Sequence, residues 1–129
     1  MDDKFSFDPL FQEEGLRFIL NNSDGEEAID IISSSYFTLL EDSIIFHAIE
    51  TFYKKQRRVP SLPFLRNTLM ELMTYKEYQE SLTQSDEIAI LNKVDRLFER
   101  PAKDGDLILE ALYKFHSFVE MQHLNENTD

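Results

Sequence analysis

Apolar residues recur at three- and four-residue intervals along most of the chain, which is the spacing of an amphipathic helix. The clearest stripe contains Ile45, Ile49, Phe52 and Tyr53, at positions i, i+4, i+7 and i+8. Glycine and proline, the residues that most often interrupt helices, occur only three and four times in 129 residues. The pattern predicts an all-α fold, a compact orthogonal helical bundle of about six helices that ends in a long helical hairpin.

Capping residues and prolines set the expected helix bounds. Asp8 suits the cap and Pro9 the first position of an opening helix, Pro60 stops the third helix, and Ser61 caps the fourth. The expected helices, some of them short, cover residues 9–21, 26–33, 41–56, 61–72, 75–82, 85–100 and 107–125. Residues 9–124 form the predicted domain, with a flexible arm (residues 1–8) before it and the start of a linker or a frayed tail (residues 125–129) after it.

The final helix carries more apolar residues than one buried stripe uses. These residues are Leu107, Ile108, Leu109, Leu112, Phe115, Phe118, Val119 and Met121. Among them, Ile108, Leu112, Phe115 and Val119 form a single stripe. The excess indicates either burial on a second side by another chain or a central helix enclosed by its own domain, and periodicity does not separate the two.

The charge is strongly acidic. Twenty-five acidic and thirteen basic residues give a net charge of −12, and such a surface repels DNA phosphates, so we expect little direct DNA binding by the domain as a whole. Residues 43–76 differ, with six basic and two acidic residues, a net +4. The cluster of Lys54, Lys55, Arg57 and Arg58 either contacts nucleic acid or an acidic partner, or complements the negative end of a helix dipole.

Signals for export or for a membrane are missing from the sequence. It contains no cysteine and no run of about 18 apolar residues, and no apolar signal core follows the acidic start, residues 1–4. We therefore expect a cytoplasmic protein with no membrane partner.

Catalytic motifs are also missing. A phosphate-binding loop needs clustered glycines and a lysine, whereas Gly15, Gly25 and Gly105 are isolated, and no serine has a Gly-x-Ser-x-Gly context. His116, Glu120 and His123 have metal-ligand spacing on one helix face, but a solvated polar face gives the same spacing. We expect no enzymatic activity, cofactor or metal in this chain.

The order of elements resembles the N-terminal domain of DnaB-like replicative DNA helicases, and more closely the divergent versions in tailed phages. The similarity covers about Phe11 to Leu124 and is best over residues 31–72. There the pair Tyr36-Phe37, the row from Ile45 to Tyr53 and the turn Val59-Pro60-Ser61 follow one another at family-like spacing. All of these are packing and capping features.

The resemblance implies an assembly domain that forms the collar of a ring helicase in DNA replication, in the host bacterial cytoplasm for a phage protein. ATP and Mg would bind only in a C-terminal motor domain beyond this chain. The closing hairpin, residues 85–100 and 107–123, would drive self-association into a dimer or hexameric ring, and a primase or helicase loader would dock. The predicted interface residues are Leu91, Phe98, Leu109, Leu112, Phe115, Phe118 and Met121.

The acidic charge also suggests a different class of function. A stand-alone acidic helical adaptor or inhibitor could present carboxylates in place of DNA phosphates and act on a replication or host protein. Against this, the acids lie mostly at helix starts and among bases, as on an ordinary solvated surface. A reading frame that continues after Asp129 into G-x-x-x-x-G-K-[ST] would favour the helicase, and a stop codon there would favour the adaptor.

Overall fold

The protein folds into a bundle of helices, seen here in a computed structural model that describes residues 8–32 and 36–127, with side chains as far as Met121. Within those ranges there are seven helices and no β-strand. They are α1 (Pro9–Asn21), α2 (Gly25–Ile29), α3 (Leu40–Gln56), α4 (Leu62–Leu72), α5 (Lys76–Ser81), α6 (Gln84–Leu97) and α7 (Gly105–Asn127). The predicted all-α fold is confirmed. Residues 1–7 of the predicted arm lie outside the described residues.

Most helix bounds differ from the prediction by one to four residues, and two of these differences have identifiable reasons. α2 ends at Ile29 rather than near residue 33, because the chain turns there to bury Ile32 in the core. α6 begins at Gln84 rather than at residue 85 because Thr83 caps it: the Thr83 hydroxyl accepts from the Asp86 N–H at 3.1 Å, and the Asp86 carboxylate accepts from the Thr83 N–H at 2.9 Å. This reciprocal capping box satisfies two donors at once.

α1 is the central helix of the bundle. It packs against α2, α3, α6 and α7, and every residue from Leu16 to Leu20 is buried. Arg17 belongs to this buried run, and its guanidinium donates to the Arg96 carbonyl at 2.6 Å and to the Glu13 carboxylate at 2.9 Å. Because the last carbonyls of a helix have no partner within the helix, Arg17 joins α1 to the carboxyl end of α6.

The remaining core lies between α3, α4 and α6, which pack against one another. Leu65, Leu69 and Leu72, the predicted buried row of α4, are all buried. In α3 the predicted stripe is buried at Ile45 and Ile49, whereas Phe52 and Tyr53 are partly exposed near the helix end. The sequence pattern thus identified the core face of both helices.

The two closing helices differ from the predicted hairpin in what supports them. α6 packs against α1, α3 and α4, while the main packing partner of α7 is α1. Each is therefore held chiefly by other helices rather than by its neighbour along the chain. α7 also continues to Asn127, two residues beyond the predicted end at Asn125.

A buried ion cluster ties α1, α3 and α6 together. The Lys93 Nζ atom lies 2.6 Å from Asp42 Oδ1, 3.1 Å from Glu41 Oε1 and 3.7 Å from Glu13 Oε1. Burial raises the pKa of Asp42 above its ordinary 3.8; Lys93 opposes this shift, and Glu41 and Glu13 add to it. Burial disfavours the charged form of Lys93, but Asp42 and Glu41 outweigh it and raise the pKa of Lys93 above 10.5.

Candidate interaction surfaces

The inner side of α7 fills the core as the sequence predicted. Ile108, Leu112 and Phe115 are buried, and Val119 packs against the core. The Phe115 ring meets the Tyr36 ring edge-on, with 5.5 Å between centroids. Leu112 and Phe115, both predicted as interface residues, therefore contact the core of their own chain.

The other predicted interface residues do not form one surface. Leu91 and Phe98 on α6, and Leu109 on α7, are half-buried against the core. Phe118 is half-buried, and Met121 has 63% of its surface exposed; these two line one depression on the outer side of α7. The structure thus brings together only Phe118 and Met121 of the predicted set.

That depression, called the α7 outer groove below, is shallow, apolar and about 470 Å³ in volume. It is lined by Glu110, Tyr113, Lys114, Ser117, Phe118 and Met121. Sequence reasoning missed four of these residues: Glu110, Tyr113, Lys114 and Ser117. Tyr113, Ser117 and Met121 recur every four residues, so this second stripe is the signal that could have identified the groove.

Polar contacts fix one side of the α7 outer groove. The Tyr113 hydroxyl donates to Glu27 Oε2 at 2.5 Å, which joins α7 to α2, and this hydrogen bond raises the pKa of Tyr113. Glu110 and Lys114 lie one turn apart with opposite charges, and neither forms an ion pair with any residue that the structure describes. The groove therefore has one acidic and one basic side chain, each without an ion-pair partner among the described residues, beside its apolar floor.

A second surface lies where α3 ends. The basic–aromatic patch, as we call it, consists of the predicted cluster of Lys54, Lys55, Arg57 and Arg58 together with Phe52 and Phe64. The four basic side chains are exposed. The Arg58 guanidinium carbon lies 5.7 Å from the centre of the Phe52 ring, and the rings of Phe52 and Phe64 have centroids 6.0 Å apart. Sequence reasoning identified the cations but not Phe64.

An apolar hollow of about 460 Å³ separates α3 from α5. Its polar edge includes His47, Glu50 and Tyr78, and His47 Nδ1 lies 2.9 Å from the Tyr78 hydroxyl oxygen. This hydrogen bond attaches α5 to α3. Burial raises the pKa of the Tyr78 hydroxyl above its ordinary value, which favours the protonated hydroxyl, and we assign the contact a structural role.

The residues with metal-ligand spacing, His116, Glu120 and His123, all belong to α7. His116 Nε2 lies 4.0 Å from Glu120 Oε2, and the side chain of His123 lies outside the described residues. Among the residues that are described, no three His, Cys, Asp or Glu side chains are grouped as metal ligands. In the same part of the chain, no helix is both long and apolar enough to cross a bilayer.

Comparison with known proteins gives no relative: a scan of protein families, a search of curated proteins and a search of solved structures each return no match. What the chain does has to be inferred from its own surfaces, the α7 outer groove and the basic–aromatic patch.

Proposed function

We propose that the chain is a non-catalytic helical assembly domain that binds a second copy of itself through the α7 outer groove. The observation that carries this proposal is that α7 has two apolar sides. Ile108, Leu112 and Phe115 fill the core, while Met121 and Leu107 remain 63% and 57% exposed. Exposed apolar surface that the fold itself does not use is typical of an interface.

The α7 outer groove also has the self-complementarity that a two-fold dimer requires. Leu107, Lys114 and Met121 recur every seven residues, so one side of the helix presents them together with Glu110 and Ser117. This side of α7 therefore carries both charge signs beside apolar residues, so that the same patch can pair with itself. A stable interface buries about 1,200 Å² or more in total, which requires the whole outer side of α7.

The resemblance gives this assembly a biological setting. We propose that the chain serves a DnaB-like replicative helicase, in which the domain brings subunits together and receives a primase or a loader while a separate motor domain binds ATP. The acidic-adaptor alternative is weakened by how the carboxylates are used. Glu13, Glu14, Glu41 and Asp42 hold Arg17, Lys93 and Arg100 by ion pairs, so these four carboxylates are not free to replace phosphates.

The interface is tested with two matched substitutions, Met121→Asp and Met70→Asp. Met121 lines the α7 outer groove, whereas Met70 is 54% exposed on α4 and lies outside it. Sedimentation equilibrium should show association of the wild type and of Met70→Asp, but only monomer for Met121→Asp, because pairing would bury an unpaired charge. Equal association of the two variants would contradict the proposed interface.

The helicase setting has its own test, independent of the interface. The native gene is read downstream of the codon for Asp129. A P-loop motif encoded in the same frame would support the setting, because that motif binds nucleotide phosphates specifically. A frame without a motor domain, in a chain that nevertheless dimerises through α7, would keep the assembly function and remove the helicase.

A further inference from the structure

We infer that the basic–aromatic patch at the end of α3 is a binding site for single-stranded nucleic acid, formed by a groove in which exposed cations lie beside the exposed ring of Phe64 and the half-buried ring of Phe52. This goes beyond assembly, since it assigns the domain a ligand. It involves α3 and α4 rather than the α7 outer groove.

The groove has the kind of lining that binds single strands. It encloses about 320 Å³ between the end of α3 and α4. Lys55 and Arg58 lie on its walls, with Lys54 and Arg57 at the same helix end. Asn67 and Thr68 on α4 add side chains that can donate or accept hydrogen bonds. Proteins that bind single strands combine such a basic groove with aromatic platforms for the bases.

The four cations of the patch lie together without an ion pair to the described part of the chain, whereas the other described basic residues either form an ion pair or stand singly along the chain. Arg17, Arg66, Lys93 and Arg100 each form an ion pair within the bundle. Lys54, Lys55, Arg57 and Arg58 form none with a described residue, although acids outnumber bases in the chain. Unpaired cations in so acidic a chain are available to an external anion.

The helix dipole of α3 accounts for only part of the cation cluster. Lys54 and Lys55 lie in the last turn of α3, where cations complement the helix dipole, but Arg57 and Arg58 lie beyond it. Arg57 has φ 60°, the left-handed conformation that usually selects glycine at this position. An arginine there adds a guanidinium to the patch at a site where a smaller residue would fit the backbone better.

The aromatic rings decide between the candidate ligands. Phe64 is 54% exposed, and its ring lies 6.0 Å from that of Phe52, which is itself covered by Arg58. An unstacked base can stack on the exposed Phe64 ring, whereas the carboxylates of an acidic peptide would use only the cations, and a duplex keeps its bases stacked internally. A single strand is therefore the ligand that uses both the charge and the rings.

Glu71 is the one carboxylate on the groove wall, and its removal provides a further test of where the strand binds. A phosphate chain in the groove must pass near this negative charge. Replacing it by the neutral amide in Glu71→Gln should tighten binding by about twofold to fivefold, as expected when one exposed repulsion is removed. A strand bound elsewhere on the chain would not respond.

The experiment measures fluorescence anisotropy of labelled oligodeoxythymidylate and oligouridylate, each of about sixteen nucleotides, with the full 129-residue chain at low salt. The double variant Lys55→Glu/Arg58→Glu is compared with Lys76→Glu/Lys103→Glu, which makes the same change of net charge at exposed lysines outside the patch. We expect the affinity for the oligonucleotide to fall about tenfold or more in the patch variant and less than about threefold in the control.

Phe64→Ala should weaken binding by about fivefold or more through lost stacking. The DNA and RNA probes reveal which strand is preferred.

Salt dependence provides a second readout. If the patch neutralises two to four phosphates, the affinity should fall by about sevenfold to fiftyfold between about 50 and 200 mM salt. Absence of wild-type binding at low salt, equal losses in the two double variants, or equal binding of a duplex would overturn the inference. Binding of poly-glutamate through the patch without binding of either oligonucleotide would overturn it in favour of an acidic protein partner. Circular dichroism confirms that each variant is folded.

Discussion

α1 and α7 are both helices with extensive apolar surface, yet the bundle uses them in different ways. α1 is enclosed by four other helices and buries even Gln12 and Arg17. α7 buries one stripe against the core and leaves Leu107, Tyr113 and Met121 exposed. The helix with the broader apolar face is therefore the peripheral one, and the central helix contains charged residues.

The difference shows how polar residues reach the centre of a small domain. Gln12 is buried because its amide bonds both the hydroxyl and the N–H of Thr38, at 3.0 and 2.9 Å. Arg17 is buried because carboxylates and helix-end carbonyls surround it. Buried polar groups are tolerated when they are paired. The unused apolar side of α7 has no such internal explanation, which is why we assign it to a second copy.

The largest expected effect comes from the ion cluster beside α1. Lys93→Met would leave the fully buried Asp42 with only Glu41 and Glu13 nearby, both negative. Breaking a buried pair in this way destabilises proteins by about 3–5 kcal/mol. Urea unfolding at neutral pH measures the loss. The double variant Asp42→Leu/Lys93→Met should regain most of it, and a double variant as unstable as the single one would argue against the ion cluster as the cause.

A smaller loss is expected where α1 meets α2. A Cβ atom added at Gly25 would collide with the backbone carbonyl oxygens of Phe18 and Ile19. Gly25→Ala should therefore cost about 1–3 kcal/mol, the usual range for overpacking. The exposed neighbour Ser23 supplies the control, since Ser23→Ala should change the free energy of unfolding by less than about 0.5 kcal/mol. Equal effects would show that α1 and α2 are not in close contact.

The ion pairs of α1 predict a pH dependence of modest size. Burial would raise the pKa of Glu14, but Arg100, with Glu14 Oε2 2.7 Å from its Nη2, and Arg17 outweigh burial and hold the pKa of Glu14 below 4.5. A carboxyl with a lowered folded-state pKa stabilises the fold above pH 4.5, and this contribution is lost as pH falls through the folded value. The stability advantage of wild type over Glu14→Gln should thus be present at pH 7 and vanish in acid. A difference independent of pH would contradict the pairing.

The smallest effect on folding is expected on the outer side of α7. Leu107→Ser removes an exposed apolar side chain, so the free energy of unfolding should change by less than about 0.5 kcal/mol. The measurement is made at low protein concentration, because dimerisation stabilises the folded state by mass action. A large loss in the monomer would show that this side of α7 supports the fold, as α1 does.

Much of the fold followed from local patterns in the sequence. α1 has its predicted bounds, with the Asp8 carboxylate accepting from the Phe11 N–H at 2.8 Å, and Leu65, Leu69 and Leu72 form the predicted buried row. These features depend on residues three or four positions apart, and such spacing can be read from the chain directly.

Features that depend on distant partners were not predicted. The burial of Lys93 requires Asp42, 51 positions earlier, and Arg17 binds a carbonyl 79 positions away. Apolar periodicity placed Leu112 and Phe115 on one stripe of α7 but could not tell which of the apolar residues of this helix face the core and which remain on the surface. Packing against α1 and Tyr36 makes that choice, so the predicted interface set combined core residues with surface residues.

The most direct test of the central claim is the oligomeric state of the wild-type chain in solution. Sedimentation velocity is recorded from low to high micromolar concentration at physiological salt. The proposed assembly function predicts a sedimentation coefficient that rises with concentration from monomer to dimer or a larger ring. A single monomeric species at every concentration would contradict it.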